Sequence, residues 1–507
     1  MLRKNLIFKI ILWLFSLVIL VIVGSIGLFY IIDQKQLRSY LNEQILVATG
    51  YEVVLKQDLK VKLWPIPSIT TQEVHFSWKD PASNTQYNAT AETVSLKTGF
   101  RALMSNTLQI NQITLKNLVV AVIPVNAPAQ EYQLPHLSGQ ITREGGLTSI
   151  NHISLETAAT KVEGDLQLTK SNKKPQIEGT LNFEKFEYHS PKLALSKPAP
   201  NLISTKIWDT AWLGKYLINT KIKFKHIIFD ELALNDVQLQ LQLKDSQLQI
   251  KDFKAELAQG ILEGHLKYQL EKIAFHNSAV LNLRLRDANF AKLVENITDD
   301  ANWSKGQFNF EFKGQGKGDS LKTILGTLDG SLFYDLTNAQ LDNQVFTTNA
   351  SEIFTNFLGF LNPFAKKTND TKIICGVGLL EAKAGKVYSA KNISFETPEF
   401  NLIGTAKVDL TTEAIEFEFN TEKNANVNLA LVDFDNYFKV KGTLAKPIVV
   451  PNSTGILSSG FSLYSAITSG GLSLIANQVV STITKDRTPC ERIRKVALEQ
   501  EVIESLE

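Results

Sequence analysis

The chain has 507 residues, of which 44% are hydrophobic, and a formal net charge of +2. This length allows about two to four ordinary domains or one extended architecture. The balanced charge, with Lys and Arg spread along the chain, argues against a nucleic-acid binder, which would cluster its basic residues. Two cysteines, Cys375 and Cys490, exclude a disulfide framework. Whether these two cysteines form one long-range pair stays open.

The first feature in chain order is an uncharged apolar run from Ile10 to Ile32, which includes Trp13 and Phe15. As an α-helix it would be roughly 35 Å long, enough to cross a hydrocarbon layer of ~30 Å. A cleaved signal peptide would have a shorter apolar region followed by small residues, and neither is present. We therefore expect an uncleaved single-pass anchor at 10–32.

Basic residues precede this span, and the positive-inside rule therefore favours a cytoplasmic N-terminus for residues 1–9. The bulk of the chain would then lie beyond the membrane. In a Gram-negative bacterium this corresponds to an inner-membrane protein with a periplasmic body.

Beyond the anchor, apolar and polar residues alternate with period two, and short breaks separate the runs. Strands are expected in "TLQINQITLKNLVVAVI" (107–123, two short strands), "KIKFKHIIF", "VQLQLQL", "QLQIKDF", "GILEGHLKYQL", "AVLNLRLR", "GQFNFEFKG", "LDGSLFYDL" and "AIEFEFNTE". Short breaks and alternating faces are typical of antiparallel meanders. A helix cannot explain the Leu/Gln runs, because every second residue would step 200° around its axis.

A loose repeat, an apolar residue, a spacer and then glycine, accompanies several strands. It occurs at Gly164, Gly179, Gly264, Gly330 and Gly404. Glycine inside a strand pattern predicts a bulge or bend.

One face of the predicted strands is apolar and could be a ligand surface. Its candidate residues are Val237, Leu239, Leu241, Leu243, Leu248, Ile250, Leu266, Tyr268, Leu281, Leu283, Leu285, Phe308, Phe310 and Phe312. Two interpretations remain open: a concave face that binds acyl chains, or the inner side of a closed sandwich or barrel. The alternation alone favours the closed core, because every half-buried strand has this pattern.

Helical periodicity is predicted at "NFAKLVENI" (289–297) and at "SEIFTNFLGFLNPF" (351–364). The second helix presents Ile353, Phe354, Phe357, Leu358 and Leu361 on one side. It would cover one end of the apolar face or lie on a membrane surface; its few basic residues favour the cover. The apolar, Ser/Thr/Gly-rich stretch 455–484 is expected to pack as a helix on the sheet or against a membrane or partner. The charged "KDRTPCERIRK" after it is expected to be a solvated end.

Catalytic and metal signatures are weak, and we expect no catalytic residues, no metal and no cofactor. The histidines form no H-x-x-x-H pair and there is no G-x-S-x-G elbow. "GQGKGDS" (314–320) lacks Walker spacing, and a hairpin loop is expected there instead of a nucleotide site.

The order of several blocks resembles the AsmA family of inner-membrane-anchored periplasmic proteins. The anchor is followed by "TGYEVVL…LKVKLWPIPSITTQEVHFS" (49–77), "VSLKTGFRALMSNTLQINQITLKNLVVAVI" (94–123) and "ELALNDVQLQLQLKDSQLQIKDFKAELAQGILEGHL" (231–266). "GQFNFEFKGQGKGDSLKTILGTLDGSLFYDL" (306–336), "GVGLLEAKAGKVYSAKNISFETPEFNLIGTAKVDLTTEAIEFEF" (376–419) and "FKVKGTLAKPIVVPN" (438–452) complete the pattern.

The resemblance implies a mainly β fold: an elongated, curved antiparallel sheet forming a hydrophobic groove, with a few short covering helices. It is divided into an N-terminal β region (33–220), a β-groove region (221–452) and a helical tail (453–507). The resemblance also implies kinship with TamB-like and bridge-like lipid transfer proteins. With this kinship, an open groove for acyl chains is favoured over the closed core that the alternation alone favours. The implied partners are inner-membrane phospholipids and, for outer-membrane biogenesis, outer-membrane assembly components, without nucleotide or nucleic acid. The alternative is a non-transporting scaffold or assembly factor for outer-membrane proteins.

Overall fold

The computed structural model describes Ser39 and most of residues 53–500. Residues 1–38, 40–52, 56, 63–65, 80–84, 99–109, 126–127, 145, 158–159, 170–173, 190–201, 211–212, 231, 272–276, 299–302, 343–369, 399, 424–437, 452–487 and 501–507 are not described. The expected anchor at 10–32, the expected helix at 351–364 and the stretch 455–484 therefore lie outside the described residues. Among the described residues, no helix is both long and apolar enough to span a bilayer.

The described part of the chain is mainly β, as expected, with 22 antiparallel strands paired largely in sequence order. The first nine are β1 (Val53–Leu55), β2 (Lys60–Lys62), β3 (Ser68–Lys79), β4 (Gln86–Thr98), β5 (Ile110–Ile123), β6 (Gln130–Glu144), β7 (Leu147–Glu156), β8 (Lys161–Thr169) and β9 (Gln176–Tyr188). The others are β10 (Leu217–Phe229), β11 (Leu232–Lys244), β12 (Gln247–Leu257), β13 (Gly260–Gln269), β14 (Ser278–Asn289), β15 (Trp303–Lys317), β16 (Asp329–Asp342), β17 (Asp370–Lys383), β18 (Lys386–Glu396), β19 (Phe400–Asp409), β20 (Ala414–Lys423), β21 (Phe438–Thr443) and β22 (Lys446–Pro451).

Within the described parts of the chain, three helices with defined bounds accompany these strands: α1 (Phe290–Thr298), α2 (Leu321–Gly326) and α3 (Pro489–Glu499). Helix α1 confirms the helical prediction for "NFAKLVENI". Helix α2 corrects the hairpin loop predicted for "GQGKGDS", because β15 continues through Lys317 and Ser320 then caps α2 by accepting from the Thr323 amide.

Backbone contacts divide the chain into two compact units, Met1–Lys185 and Phe186–Glu507, with the division inside β9. In the first unit, β1 and β2 both pair with β3, and β3 to β9 follow one another. Its core lies between β3, β4 and β5, where Val74 and Ala91 are almost fully buried. The two short strands predicted in 107–123 are one long strand, β5. Asn117 lies in the middle of this strand and has a φ of 48°.

In the second unit, β10 to β22 pair in sequence order. The polar break after the Leu/Gln run is a two-residue hairpin turn. Asp245 and Ser246 both have positive φ, 51° and 60°, as a type I′ turn requires. A tight turn of this kind places consecutive strands side by side, so residues that pair across the ladder, such as Leu241 and Ile250, lie on the same face.

Several strands contain a single left-handed residue that bends them. Asp252 (φ 49°) and Lys391 (φ 57°) lie where the register shifts, between Ile250 and Phe253 and between Ser389 and Ile393. The residue after each bulge pairs with a glycine, Phe253 with Gly264 and Ile393 with Gly404, and Ile153 pairs with Gly164 in the same way. The predicted bulges are thus confirmed at Gly164, Gly264 and Gly404, although each bulge lies in the preceding strand. At Gly179 and Gly330 the prediction is wrong, because both glycines lie in regular ladder pairs.

The segment expected to be a solvated C-terminal end is instead docked on the sheet. Helix α3 buries Cys490, Ile493 and Ala497 at 2%, 0% and 0% exposure. Cys375 and Cys490 form a disulfide across 115 residues of sequence, with 6.6 Å between their Cα atoms, which is within the usual span. The prediction of a solvated end is therefore wrong. The segment forms an amphipathic helix, in which the charged residues lie on one side and the apolar side packs on the sheet.

Candidate functional site: an apolar sheet face

The ladder register places all fourteen candidate residues on one face of β11 to β15. Leu241 pairs with Ile250, Ile250 with Leu266 and Leu266 with Leu281. Further along the same strands, Leu283 pairs with Phe312 and Leu285 with Phe310. Directly opposed residues of an antiparallel pair point to the same side, so these strands present one continuous apolar surface.

This face is only partly covered by other described residues. Four of the fourteen are buried: Val237, Leu243, Tyr268 and Leu285. The other ten keep intermediate exposure: Leu239, Leu241, Leu248, Ile250, Leu266, Leu281, Leu283, Phe308, Phe310 and Phe312. The inner side of a closed sandwich would bury such side chains almost completely.

The register carries the same face onward through β16 to β20, beyond the residues predicted from sequence. Phe312 pairs with Leu332 and Phe310 with Tyr334, and this line continues across the next strands. The face gains Leu332, Tyr334, Leu336, Leu380, Ile393, Phe395, Leu402, Phe417 and Phe419. We call these residues and the fourteen above the apolar face. Sequence reasoning did not extend the face to "SLFYDL", where the apolar Phe333 lies on the same side as Ser331 and Asp335 and interrupts the alternation.

Aromatic rings lie over glycines along this extension. A Cβ on Gly376 would lie 2.7 Å from Cδ1 of Phe395, and one on Gly404 would lie 2.7 Å from Cε1 of Phe419. Both glycines pair across strands with those aromatic residues. Because glycine has no side chain, each ring can lie against the neighbouring backbone, and the surface at these positions is apolar.

One end of the strands on the apolar face is bounded by α1. Leu293 of this helix packs with Leu285 and Ala288 in a buried cluster. Phe290 lies against Phe308 with ring centroids 5.8 Å apart. Helix α1 thus closes one side of the apolar face, a covering role that the sequence analysis gave to residues 351–364.

The other end of the strands is bounded by α2 and by an extended stretch, residues 202–210 with Leu213, which we call the rim segment. Leu213 and Ile324 of α2 pack on Leu243 and Tyr268. The Trp208 ring meets the Tyr268 ring at a centroid distance of 5.6 Å. With both ends bounded, the middle of β11 to β15 is the open part of the apolar face.

A buried carboxylate fastens the rim segment. Glu413, with no exposed surface, accepts hydrogen bonds from the amides of Leu202 (2.7 Å) and Ile203 (3.3 Å) and from Nζ of Lys322 (3.0 Å). Burial alone raises the pKa of the Glu413 carboxyl, but the hydrogen bonds from Leu202, Lys322 and Ile203 outweigh it and hold the pKa below its ordinary value. Glu413 therefore remains ionised at neutral pH and joins the rim segment, α2 and the β19–β20 turn.

The opposite face of β12 to β15 is polar and carries ion pairs. Arg284 pairs with Glu311 at 3.0 Å, and Arg286 pairs with Glu263 at 2.6 Å. A cleft of about 630 Å³ crosses these strands, and its lining includes Lys254, Glu263, Arg284 and Glu311. Because the cleft walls carry these charges, it is a poorer place for an acyl chain than the apolar face.

On β16 and β17 the opposite face is apolar but covered by α3. Phe333, Val377 and Leu379 are exposed by 2%, 0% and 1% beneath the helix. The Arg494 guanidinium donates to both oxygens of Asp335, at 2.8 and 2.7 Å, and this pairing raises the pKa of Arg494. We call this region the covered patch.

The described residues contain one close group of potential metal ligands, Cys375, Glu396 and Cys490. Both sulfurs are used in the disulfide and Glu396 accepts from the Cys490 amide at 2.8 Å, so the group is explained by its role in docking α3. A disulfide-bonded sulfur is not a thiolate and is a poor metal ligand.

Comparison with known proteins gives one family match. Residues 194–391 match the model described as the AsmA family, a stretch that contains the rim segment, α1, α2 and most of the apolar face. Searches of curated proteins and of solved structures gave no match. Residues 194–391 of this chain are therefore similar to the AsmA family.

Proposed function

We propose that this protein binds phospholipid acyl chains along the apolar face and moves or buffers them for the outer membrane. It would do so as an inner-membrane protein anchored by residues 10–32, with its β body in the periplasm. The observation that carries the proposal is the line of half-exposed Leu and Phe side chains that register joins from β11 to β15. Soluble proteins rarely leave such a large contiguous apolar surface without a ligand or partner.

The chemistry of the face suits acyl chains. None of the residues of the apolar face is charged, whereas the opposite face of β12 to β15 carries ion pairs. An acyl chain can lie on such a surface and lose contact with water, which contributes about 0.8 kcal/mol per buried CH₂. Head groups would remain in solvent.

The disulfide supports the proposed compartment. Cys375 and Cys490 are joined in the structure, and disulfides persist in oxidising environments such as the periplasm. The AsmA family match is consistent with the same location.

The proposal is tested with the full-length chain by native mass spectrometry of co-purifying and added phospholipid. Leu241→Glu and Leu283→Glu each place a carboxylate on the open part of the apolar face, and we expect lipid occupancy to fall by about tenfold or more because a charge must be desolvated against the acyl chain. The matched controls are Gln242→Glu and Asn282→Glu, one residue away on the opposite face, which should bind as the unaltered protein does. Equal binding by all four variants, or no lipid on the unaltered protein, would refute the proposal.

A further inference from the structure

Two tyrosines lie on the apolar face, and their hydroxyls differ. The Tyr268 hydroxyl donates to the Gly318 carbonyl and accepts from Nδ2 of Asn277, both at 3.2 Å. The Tyr334 hydroxyl has no hydrogen-bond partner among the residues that the structure describes. One phenol is thus part of the protein's own network, and the other is available to a ligand.

Tyr334 lies in the middle of β16, away from both bounded ends. It pairs with Phe310 on one side and with Gly378 on the other. A Cβ on Gly378 would lie 2.5 Å from Cζ and 2.7 Å from the hydroxyl oxygen of Tyr334. The phenol therefore extends across the neighbouring strand, and its hydroxyl lies on the apolar face above Gly378.

The Tyr334 phenol lies among apolar side chains but stays partly exposed, and its hydroxyl oxygen is not a buried unsatisfied atom. Its neighbours on the face include Leu332, Leu336 and Ile393. Water can therefore hydrogen-bond the hydroxyl in the free protein, and a lipid that covers the face must replace that hydrogen bond or leave the hydroxyl with a desolvation penalty. Burial raises the pKa of Tyr334, so the hydroxyl stays protonated at neutral pH and can donate.

The lack of charged residues around Tyr334 on the apolar face limits which hydrogen-bond acceptor of a lipid its hydroxyl can bind. A phosphate would need cations, and the apolar-face residues that flank Tyr334 on β15 to β18 provide none. A neutral carbonyl needs only one donor, and lipid esters carry such carbonyls where the acyl chains begin. An ester carbonyl is therefore the acceptor that fits one isolated phenol on an apolar surface.

Building on the proposed function, we propose that the Tyr334 hydroxyl donates a hydrogen bond to an ester carbonyl of the bound lipid and selects acyl-ester lipids over ether lipids. The glycerol-ester region of the lipid would then lie over β16 and β17, with the chains spread along the neighbouring strands. Tyr334 is a specificity-determining residue, whereas the aliphatic side chains supply affinity without regard to the linkage.

The test is a competition on the full-length chain. The protein is incubated with an equimolar mixture of diester and diether phosphatidylethanolamine that have equal chains, and native mass spectrometry reports the ratio bound. The unaltered protein should favour the ester lipid by about three- to tenfold, the effect of one neutral hydrogen bond. Tyr334→Phe should bring the ratio close to one while total binding continues.

The matched control is Tyr388→Phe, which removes a hydroxyl from the opposite face of β18 and should keep the ester preference. A ratio near one for the unaltered protein, or an undiminished preference in Tyr334→Phe, would overturn the inference while leaving lipid binding intact. Absence of both lipids from the unaltered protein would refute the proposed function itself. The ratio compares two lipids on the same protein, so a change in stability alone would not move it.

Discussion

Both sides of β16 and β17 carry apolar residues, but one side is buried under α3 and the other is partly exposed. On the covered patch, Phe333 and Val377 are sealed beneath α3. On the apolar face, their sequence neighbours Leu332 and Tyr334 remain partly exposed. The same strands, within one residue of each other, thus present one closed and one open surface.

This difference shows what closing an apolar surface requires in this fold. The covered patch is closed by an amphipathic helix held by a disulfide, a bidentate ion pair between Arg494 and Asp335, and the buried side chain of Ile493. On β11 to β15 the described residues place no such helix over the middle of the apolar face, although on β16 to β20 Leu336, Ile393, Leu402 and Phe419 are buried. An open surface beside such a closed one supports a ligand-binding role for the open side.

The largest expected effect comes from releasing the cover. Cys490→Ser opens a 115-residue loop, and we expect the free energy of unfolding of the second unit to fall by about 3–5 kcal/mol. Urea unfolding monitored by circular dichroism, with the unaltered protein under oxidising conditions as reference, measures it. Reducing agent should destabilise the unaltered protein similarly and leave Cys490→Ser unchanged. A loss below about 1 kcal/mol would show that the helix docks without the disulfide.

Truncating adjacent residues on the two sides compares the surfaces directly. Phe333→Ala should cost about 3–4 kcal/mol because it leaves a cavity under α3. Leu332→Ala should cost only about 1–2 kcal/mol, since its side chain is already partly in solvent. Conversely, Leu332→Ala should weaken lipid binding more than Phe333→Ala does. Equal costs would mean that the apolar face is as tightly covered as the patch.

The smallest expected effect concerns the bounded end of the apolar face. Because the folded pKa of Glu413 lies below its ordinary value of 4.5, the stability it contributes is fully present above that pH and is lost as pH falls through the folded pKa. Glu413→Gln should lower the free energy of unfolding by about 1–2 kcal/mol at pH 7 and make the acid side of the pH profile shallower. Urea midpoints between pH 3 and pH 7 test this. An unchanged acid profile would remove Glu413 from the fastening of the rim segment.

The apolar face shows how far sequence reasoning reached. Period-two alternation correctly grouped Leu241, Ile250, Leu266 and Leu283 on one face. Side chains of a strand alternate between the two sides, and short hairpins bring the apolar residues of consecutive strands to the same side. The alternation did not extend the face to "SLFYDL", because Phe333 adds an apolar residue to the otherwise polar side, where it packs under α3. It also misjudged "KDRTPCERIRK", whose single Ile493 gave no sign of a docking surface more than a hundred residues away.

The sequence by itself determined the strands, their antiparallel order and which residues share a side, since these follow from local periodicity and turn chemistry. Only the tertiary structure decided what lies against each side. Pairing Cys375 with Cys490, bringing Glu413 to Leu202, and leaving the Tyr334 hydroxyl without a partner among the described residues all depend on how distant segments meet in space. Periodicity identifies a surface, and long-range packing determines whether that surface is covered or left for a ligand.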